Sequence, residues 1–563
     1  RERLIGTVLA YAIQPPGGAT PPEPPSQRDL DMTTDAVAAP AHVQHQSLSP
    51  WIISMVVMLS TFMEVLDTSI ANVSLPHIAG NLSATIDEST WVLTSYLVSN
   101  AIVLPLSGWF SNALGRKRFY MICVFLFAVS SFLCGLAWSL PMLIFFRVLQ
   151  GLGGGGLQPS ATAILADAFP PEKRGMGFAV YAMAVVFAPA IGPTLGGWIT
   201  DNFSWRWIFY INVPVGMISI FLTSRLIVDP PWIAERVRQM RKKFDIDYIG
   251  MGLLTVGLGL LQVVLDKGQE EDWFGSPLIV WACALSAGAL IAVVVRELTA
   301  ANPIVDLRLF KERNFMLSNV LIFGLGFALF GSTVLVPEFL QTLMGYSATQ
   351  SGKVLSPAGF VIMALLPVTG YLTDRIGAKK LIVVGLLIAA GSLWLTSHIS
   401  LEVDYRTITL YRVLQGVGLA FLFTPISTVC FSNIPQQKSN AASSLFNLSR
   451  NLGASFGIAA VSTLVTRRTQ VHHSLLAAHV DAANPVAQRL LAGLAQRLQA
   501  AGSDAHLAML QAQKLLELTL NRQAGAMAFL DAFRLVSLYC LAMVPLCFFI
   551  KKVTPKKGQI HVE

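Results

Sequence analysis

Charge is scarce in this chain, and that scarcity excludes more than any motif could. Only 13% of its 563 residues are Asp, Glu, Lys or Arg, while 54% are hydrophobic. A soluble domain carries about a quarter charged residues, so a free globular protein is excluded. Cysteine is equally sparse. Cys123, Cys134, Cys283, Cys430, Cys540 and Cys547 all lie in apolar runs, without metal-ligand or disulfide-framework spacing, and read as small buried hydrophobes. The run GLGGGG (Gly151 to Gly156) has no strand before it and no Lys-Ser/Thr after it, so it is no phosphate loop; close packing in a membrane helix explains it. No ATP-binding domain is legible, so any work must draw on an ion gradient. The apolar piece Leu4 to Ile13 is too short to span and no A-x-A site follows it, which makes a poor signal peptide.

The net charge of +8 invites nucleic acid, but its distribution does not. Basic residues gather in alternate loops: Arg116 to Arg118, Lys173 and Arg174, Arg236 to Lys243, Arg308 to Arg313, Arg375 to Lys380, and the tail from Lys551. The loop Asn81 to Glu88 has none, and Asp266 to Gly275 has a single Lys among several acids. That is the positive-inside pattern, not a patch on one wet face. It places both termini in the cytoplasm and makes the number of spans even.

What the chain has in abundance is bilayer-length apolar segments. About 20 apolar residues at 1.5 Å rise cross about 30 Å of hydrocarbon. Fourteen candidates follow: 51–74, 89–110, 119–139, 141–165, 177–200, 206–227, 247–266, 276–297, 314–340, 350–372, 381–398, 406–431, 440–466 and 527–550. The implied organisation is a disordered cytoplasmic segment 1–50, rich in Pro and Gly between Gln14 and Gln27, and a six-helix half 51–227. Two inserted helices with flanking loops follow over 228–313, then a second six-helix half 314–550 and a cytoplasmic tail 551–563. Met32 is a plausible true start. Loops are short except 467–526, where Val486, Leu490, Leu491 and Leu494, then Leu507, Leu510, Leu515 and Leu518, recur at helical spacing. This outer loop is either a helical cap or a docking surface.

The halves repeat. FFRVLQGLG (Phe145 to Gly153) returns as LYRVLQGVG (Leu410 to Gly418), with the arginines 265 positions apart. GWFSNALGRK (Gly108 to Lys117) returns as GYLTDRIGAK (Gly370 to Lys379), 262 positions on. Spans one to six therefore match nine to fourteen, and seven and eight are an insert. Two repeats with a path between them are how many secondary transporters are built.

With LDTSIANVSLP (Leu66 to Pro76), APAIGPTLGGW (Ala188 to Trp198), WRWIFYINVPVG (Trp205 to Gly216) and NPIVDLRLF (Asn302 to Phe310), these strings resemble the major facilitator superfamily. Within it they resemble the fourteen-span drug/proton antiporters of the EmrB/QacA type. The resemblance covers about residues 50–550. It implies an all-helical major facilitator bundle that exports hydrophobic drugs, uncouplers or fatty acids in exchange for protons. It also implies a bacterial inner membrane, and a periplasmic adaptor of the EmrA type leading to an outer-membrane channel.

Charges inside spans are the candidate machinery, since each costs about 2.5–3.5 kcal/mol at the bilayer centre. Glu64 and Asp67 share a face of span one; Arg147 lies in span four, Glu338 in nine, Arg412 in twelve and Arg450 in thirteen. The resemblance makes Asp67 the protonatable group, with Arg147 its switch; a permanent Asp67–Arg147 brace is the alternative, and Glu64 and Glu338 are further proton-site candidates. In span five, Ala188, Gly192 and Gly196 form a small-residue stripe beside Gly197, and Pro189 and Pro193 make a bend point. The family reads that stripe as the seam between outward and inward states; ordinary tight packing is the alternative. Gly108, Arg116, Asp374 and Arg375 form a candidate cytoplasmic latch, weakened in the first copy because Asn112 stands where the family usually has Asp. Phe and Met in the spans, such as Phe62, Met183, Phe187 and Phe327, suit loose recognition of apolar molecules, or are lipid-facing bulk. A 100 mV potential supplies about 2.3 kcal/mol per proton, enough for roughly fifty-fold accumulation of a neutral solute. Uptake by symport, a dedicated exporter of a fatty acid or siderophore, and a non-transporting receptor or scaffold are the competing readings.

Overall fold

The computed structural model describes residues 49–170, 173–242, 247–300, 303–480 and 484–551, and these form helices and turns only. The expectations for the N-terminal segment, for Met32 and for the tail after Lys551 lie outside the described residues.

A first bundle comprises α1 (Pro50–Asn81), α2 (Ile86–Leu114), α3 (Arg116–Leu136), α4 (Leu140–Gly154), α5 (Leu157–Ala168), α6 (Arg174–Asn202), α7 (Trp207–Tyr210) and α8 (Asn212–Leu226). Then come a link α9 (Pro231–Lys242) and a hairpin of α10 (Tyr248–Lys267) and α11 (Pro277–Thr299). The second bundle holds α12 (Arg313–Glu338), α13 (Ala348–Ile376), α14 (Ala378–Thr396), α15 (Tyr405–Cys430) and α16 (Ser439–Ala477). The chain closes with α17 (Pro485–Ala500) and α18 (Ala505–Phe548).

The repeat extends to the turns. Thr85 caps α2 by accepting from the Glu88 N–H while Glu88 accepts from the Thr85 N–H, and Ser347 with Gln350 does the same for α13, 262 positions later. These reciprocal boxes satisfy orphan donors at the helix starts. Gly115 and Gly377, also 262 positions apart, end α2 and α13 at φ +90° and +96°, where a side chain is strained.

Among the described residues, twelve helical stretches are long and apolar enough to cross a membrane, and α6, bent by 45° between Pro189 and Ile191, makes a thirteenth. The bend has a local cause. Pro193 has no N–H for the Pro189 carbonyl, and Ser69 Oγ on α1 donates to that carbonyl at 3.4 Å instead. The remaining expected span is α16, which is too polar to pass on composition. Its Ser439, Ser443, Asn447 and Arg450 recur at helical spacing and bond to the first bundle, while Gly453 and Gly457 press on the backbone of Phe323 and Phe327 of α12. A helix sheathed by protein need not be apolar all round.

Two predicted spans are broken, one at Gly155–Gly156 between α4 and α5 and one at Ile211 between α7 and α8. The glycine run is close packing: a Cβ on Gly151 would fall 2.5 Å from the Tyr96 carbonyl oxygen, and one on Gly153 2.7 Å from the Phe127 nitrogen. The loop 467–526 is mostly regular. Its residues extend α16, form α17 against α18 and begin the 44-residue α18, about 66 Å long at 1.5 Å rise.

The inserted hairpin touches both bundles. Asp266 accepts from Thr94 of α2, Gln262 accepts from Ser455 of α16 at 3.0 Å, and Trp273 Nε1 donates to Thr463 at 3.0 Å. At its other end Arg296 donates to Asp247 at 2.8 Å, and that bond holds the Asp247 carboxyl below the usual carboxylate range.

Candidate functional site

Five of the six candidate intramembrane charges sort into three clusters. The first lies wholly inside the first bundle. Asp67 on α1 is 2% exposed and Arg147 on α4 is fully buried, and Arg147 Nη1 donates to Asp67 Oδ2 at 2.6 Å. Gln150 Nε2 and Asn212 Nδ2 donate to Asp67 Oδ1 at 2.9 and 2.7 Å. Arg147 also donates to the Val92 carbonyl and lies 4.4 Å from the Tyr96 ring centroid. A buried ion pair holds only when its remaining donors and lone pairs are also met, and here most are.

The second cluster crosses between bundles. Glu64 sits one turn before Asp67 and is 3% exposed. It accepts from Gln158 Nε2 at 2.5 Å, Asn100 Nδ2 at 3.3 Å and the Tyr96 hydroxyl at 3.4 Å. The Gln158 carbonyl in turn accepts from Arg450 Nη2 of α16. Tyr181 of α6 joins the group, accepting from Arg450 Nη1 at 3.4 Å and donating to Asn447 Oδ1 at 3.2 Å. One glutamine therefore bridges an acid of one bundle and a cation of the other.

The third cluster surrounds Arg412 of α15. It donates to Gln415 Oε1 at 2.5 Å, Thr333 Oγ1 at 2.9 Å and Ser332 Oγ at 3.2 Å. Glu338 is not brought to any of these groups; it sits partly buried at the end of α12, and no hydrogen bond to its side chain occurs among the described residues.

The small-residue stripe of α6 faces its own bundle. A Cβ on Gly192 would lie 2.4 Å from Ser69 Oγ, and one on Gly196 2.9 Å from Ile70 Cγ2 of α1, while Gly197 faces open space. On the opposite side of α6, Phe187 packs edge-on against Phe360 of α13 in the second bundle and also stacks on Phe62 of α1 in its own bundle.

The basic end of the bundles is zipped shut. Gly108 leaves no room for a Cβ, which would lie 2.7 Å from Ser444 Oγ; at its repeat mate Gly370 a Cβ would lie 3.1 Å from the Gly175 carbonyl oxygen and 3.2 Å from Met176 Cα, close but less crowded. Ser107 and Ser444 share a 3.0 Å bond, and Asn440 Nδ2 donates to Asn112 Oδ1 at 2.8 Å, so the residue in the Asp position still ties the bundles. Arg116 pairs with Asp167 at 2.8 Å and donates to Ser439 at 3.0 Å. Arg375 lies over Tyr371, 4.6 Å from its ring centroid; the side chain of Asp374 lies outside what is described.

Sequence reasoning missed Gln150, Gln158, Asn212, Tyr96 and Asn100. Gln150 stood inside the quoted RVLQG string, one turn after Arg147, and Asn212 inside YINVP. Their signal was an amide in an apolar span, which needs a partner.

The sequence profile of the Major Facilitator Superfamily matches residues 57–458. The multidrug export protein EmrB of Haemophilus influenzae is 39% identical over 439 residues, 78% of this chain and 84% of that protein. The fatty acid resistance protein FarB of Neisseria gonorrhoeae is 35% identical over 505 residues, 89% of this chain and 96% of that one. A crystal structure of a double-Trp XylE mutant superposes with a TM-score of 0.59 at 14% identity, over 89% of this chain and 96% of that chain, which shows the fold. Helices, repeat and match agree: this multipass membrane protein belongs to the Major Facilitator Superfamily and, within it, to the EmrB type.

Proposed function

We propose that the chain is a proton-coupled exporter of hydrophobic compounds across a bacterial inner membrane, with both termini in the cytoplasm. The observation that carries the coupling is the bridge Glu64–Gln158–Arg450. Asp67 takes every one of its bonds from its own bundle, from Arg147, Gln150 and Asn212. If the bundles rock as bodies, nothing about Asp67 changes. Glu64 is different, because Arg450 reaches its glutamine from the other bundle. Rocking removes a cation from the neighbourhood of a buried acid, and a low-dielectric site then favours the neutral, protonated form. In this reading Glu64 loads and releases the proton, and Asp67 holds Arg147. The closed basic end means that the route to the cytoplasm is shut in the present state.

Export rather than uptake is supported by the EmrB relatives, which are named multidrug export proteins. The 467–526 extension, with its long α16 and α18, suits a periplasmic adaptor of the EmrA type and, beyond it, an outer-membrane channel. Co-purification with a single-span partner tests that contact. The function itself is tested in inverted vesicles. Energised vesicles take up ethidium, an uncoupler abolishes the uptake, and Glu64→Gln removes the proton-driven part. No gradient-driven movement of any apolar probe overturns the reading and leaves the receptor or scaffold alternative. The same panel with a fatty acid or siderophore alone being moved identifies a dedicated exporter.

A further inference from the structure

The two bundles repeat a hydrogen-bond skeleton but not its charge. Arg412 and Gln415 lie 265 positions after Arg147 and Gln150, and Ser332 lies 265 positions after Asp67. In the first copy the arginine and the glutamine converge on the Asp67 carboxylate. In the second they converge on the Ser332 hydroxyl, at 3.2 and 2.8 Å. Ser332 and Thr333 each donate their own proton to the Leu329 carbonyl, so they meet the guanidinium as acceptors and bring no negative charge. Among the described residues no acid pairs with Arg412. Asp404 is engaged in capping its own helix, α15, and Glu338 makes no bond to the cluster. A guanidinium cannot shed its charge, so the second copy holds a cation inside the membrane that no side chain balances.

Its donors are also incompletely used. Both Nη1 hydrogens go to Ser332 and Gln415, and one on Nη2 goes to Thr333. Of the guanidinium's donors, Nε and one hydrogen of Nη2 have no acceptor among the described residues. Arg412 and Thr333 form the polar part of the wall of a small cavity between the bundles, which Val186 and Pro189 of α6 and Leu355 and Ile362 of α13 complete. The cavity takes about one particle of water size. A water there would accept a bond but leave the charge standing. A monatomic anion of similar size meets both needs: it accepts from the free donors and neutralises the guanidinium in a low dielectric, where that attraction is strong. Chloride fits further, because it is weakly hydrated for an anion and tolerates apolar neighbours. Sulfate and phosphate are too large for the space and too strongly hydrated to enter it.

We propose that Arg412 and this cavity form a chloride site, in which the bound ion supplies the negative charge that Asp67 supplies in the first copy. Because the wall comes from both bundles, a chloride held there stabilises the arrangement in which α6 and α13 close over it. The experiment measures binding of radioactive chloride to the purified full chain in neutral-lipid nanodiscs, with sodium gluconate holding the ionic strength constant. The natural chain binds saturably, about one chloride per chain, as a one-particle cavity requires. Bromide displaces it and sulfate does not, and the melting temperature rises when chloride replaces gluconate. Arg412→Gln weakens binding by about tenfold or more. Ser332→Asp keeps Arg412 but rebuilds the first-copy ion pair, so it also loses chloride and its melting no longer responds to the anion. Absence of saturable binding by the natural chain overturns the proposal. So does displacement by sulfate as readily as by bromide, which marks an adventitious ion only. A folded Arg412→Gln or a folded Ser332→Asp that still binds chloride like the natural chain overturns it as well. Where one variant does not fold the other decides, and a natural chain whose melting ignores chloride sinks the site without either. Ethidium uptake in vesicles is read separately: its loss with chloride binding intact sinks proton-driven export alone, and the converse sinks only the anion site.

Discussion

Asp67 and Glu64 sit one turn apart on α1, both buried, yet they are held by different bundles. Asp67 is closed off by three donors from helices of its own bundle, while Glu64 is joined through Gln158 to Arg450 of the other. Burial does not distinguish them; whether a partner comes from the other bundle does. A buried acid couples to a conformational change only if the change alters its surroundings.

Substitution at the two acids breaks the comparison most sharply. Asp67→Asn strands a buried guanidinium and is expected to cost about 3–5 kcal/mol of stability, read as a lowered melting temperature in detergent, with Arg147→Gln recovering part of it. Glu64→Gln is expected to melt like the natural chain and to lose at least tenfold of proton-driven ethidium uptake, while gradient-independent counterflow persists. A stable Asp67→Asn that uncouples transport, beside a coupled Glu64→Gln, reverses the assignment. The premise that the bundles move as bodies is sharpened by Ser107→Cys with Ser444→Cys. These hydroxyls are 3.0 Å apart across the closed end, so oxidation is expected to arrest uptake and reduction to restore it. Uptake undisturbed by a verified cross-link removes rocking from the mechanism. A smaller effect is expected of Gln158→Leu, which removes the bridge and keeps both charges. Its bonds to Glu64 and to Arg450 are both lost, and a net difference of about 1 kcal/mol between the two bundle arrangements corresponds to a roughly fivefold slower uptake. Arg375→Ala, at a side chain stacked on Tyr371 rather than seated between bundles, is expected to move stability by less than about 0.5 kcal/mol and transport not at all.

Much of the architecture was legible because hydropathy and small-residue spacing are local. The repeat in RVLQG and in the glycine-led loop located Arg412 and Gly370 as mates of Arg147 and Gly108, and the structure places each pair alike. The span α16 shows the opposite limit. Its polar stripe of Ser439, Ser443, Asn447 and Arg450 lowers the apolar signal because those residues serve the neighbouring bundle. The breaks at Gly155 and Ile211 and the helix α9 were not legible, since a broken span and a straight one share the same composition. The candidate charges were all visible, but their grouping was not. Nothing in sequence spacing says that Gln158 lies between Glu64 and Arg450, residues 386 positions apart.

By itself the sequence determined that the chain is a helical membrane protein, built twice over with a hairpin inserted, and that its few intramembrane charges need partners. Those conclusions follow from the cost of exposing backbone or charge to hydrocarbon, which each segment meets on its own. Only the tertiary structure decided which partner each charge has: Asp67 within its bundle, Glu64 across to the other, Arg412 with neutral groups alone. Pairing depends on which helix faces meet, and that is settled by the packing of the whole bundle.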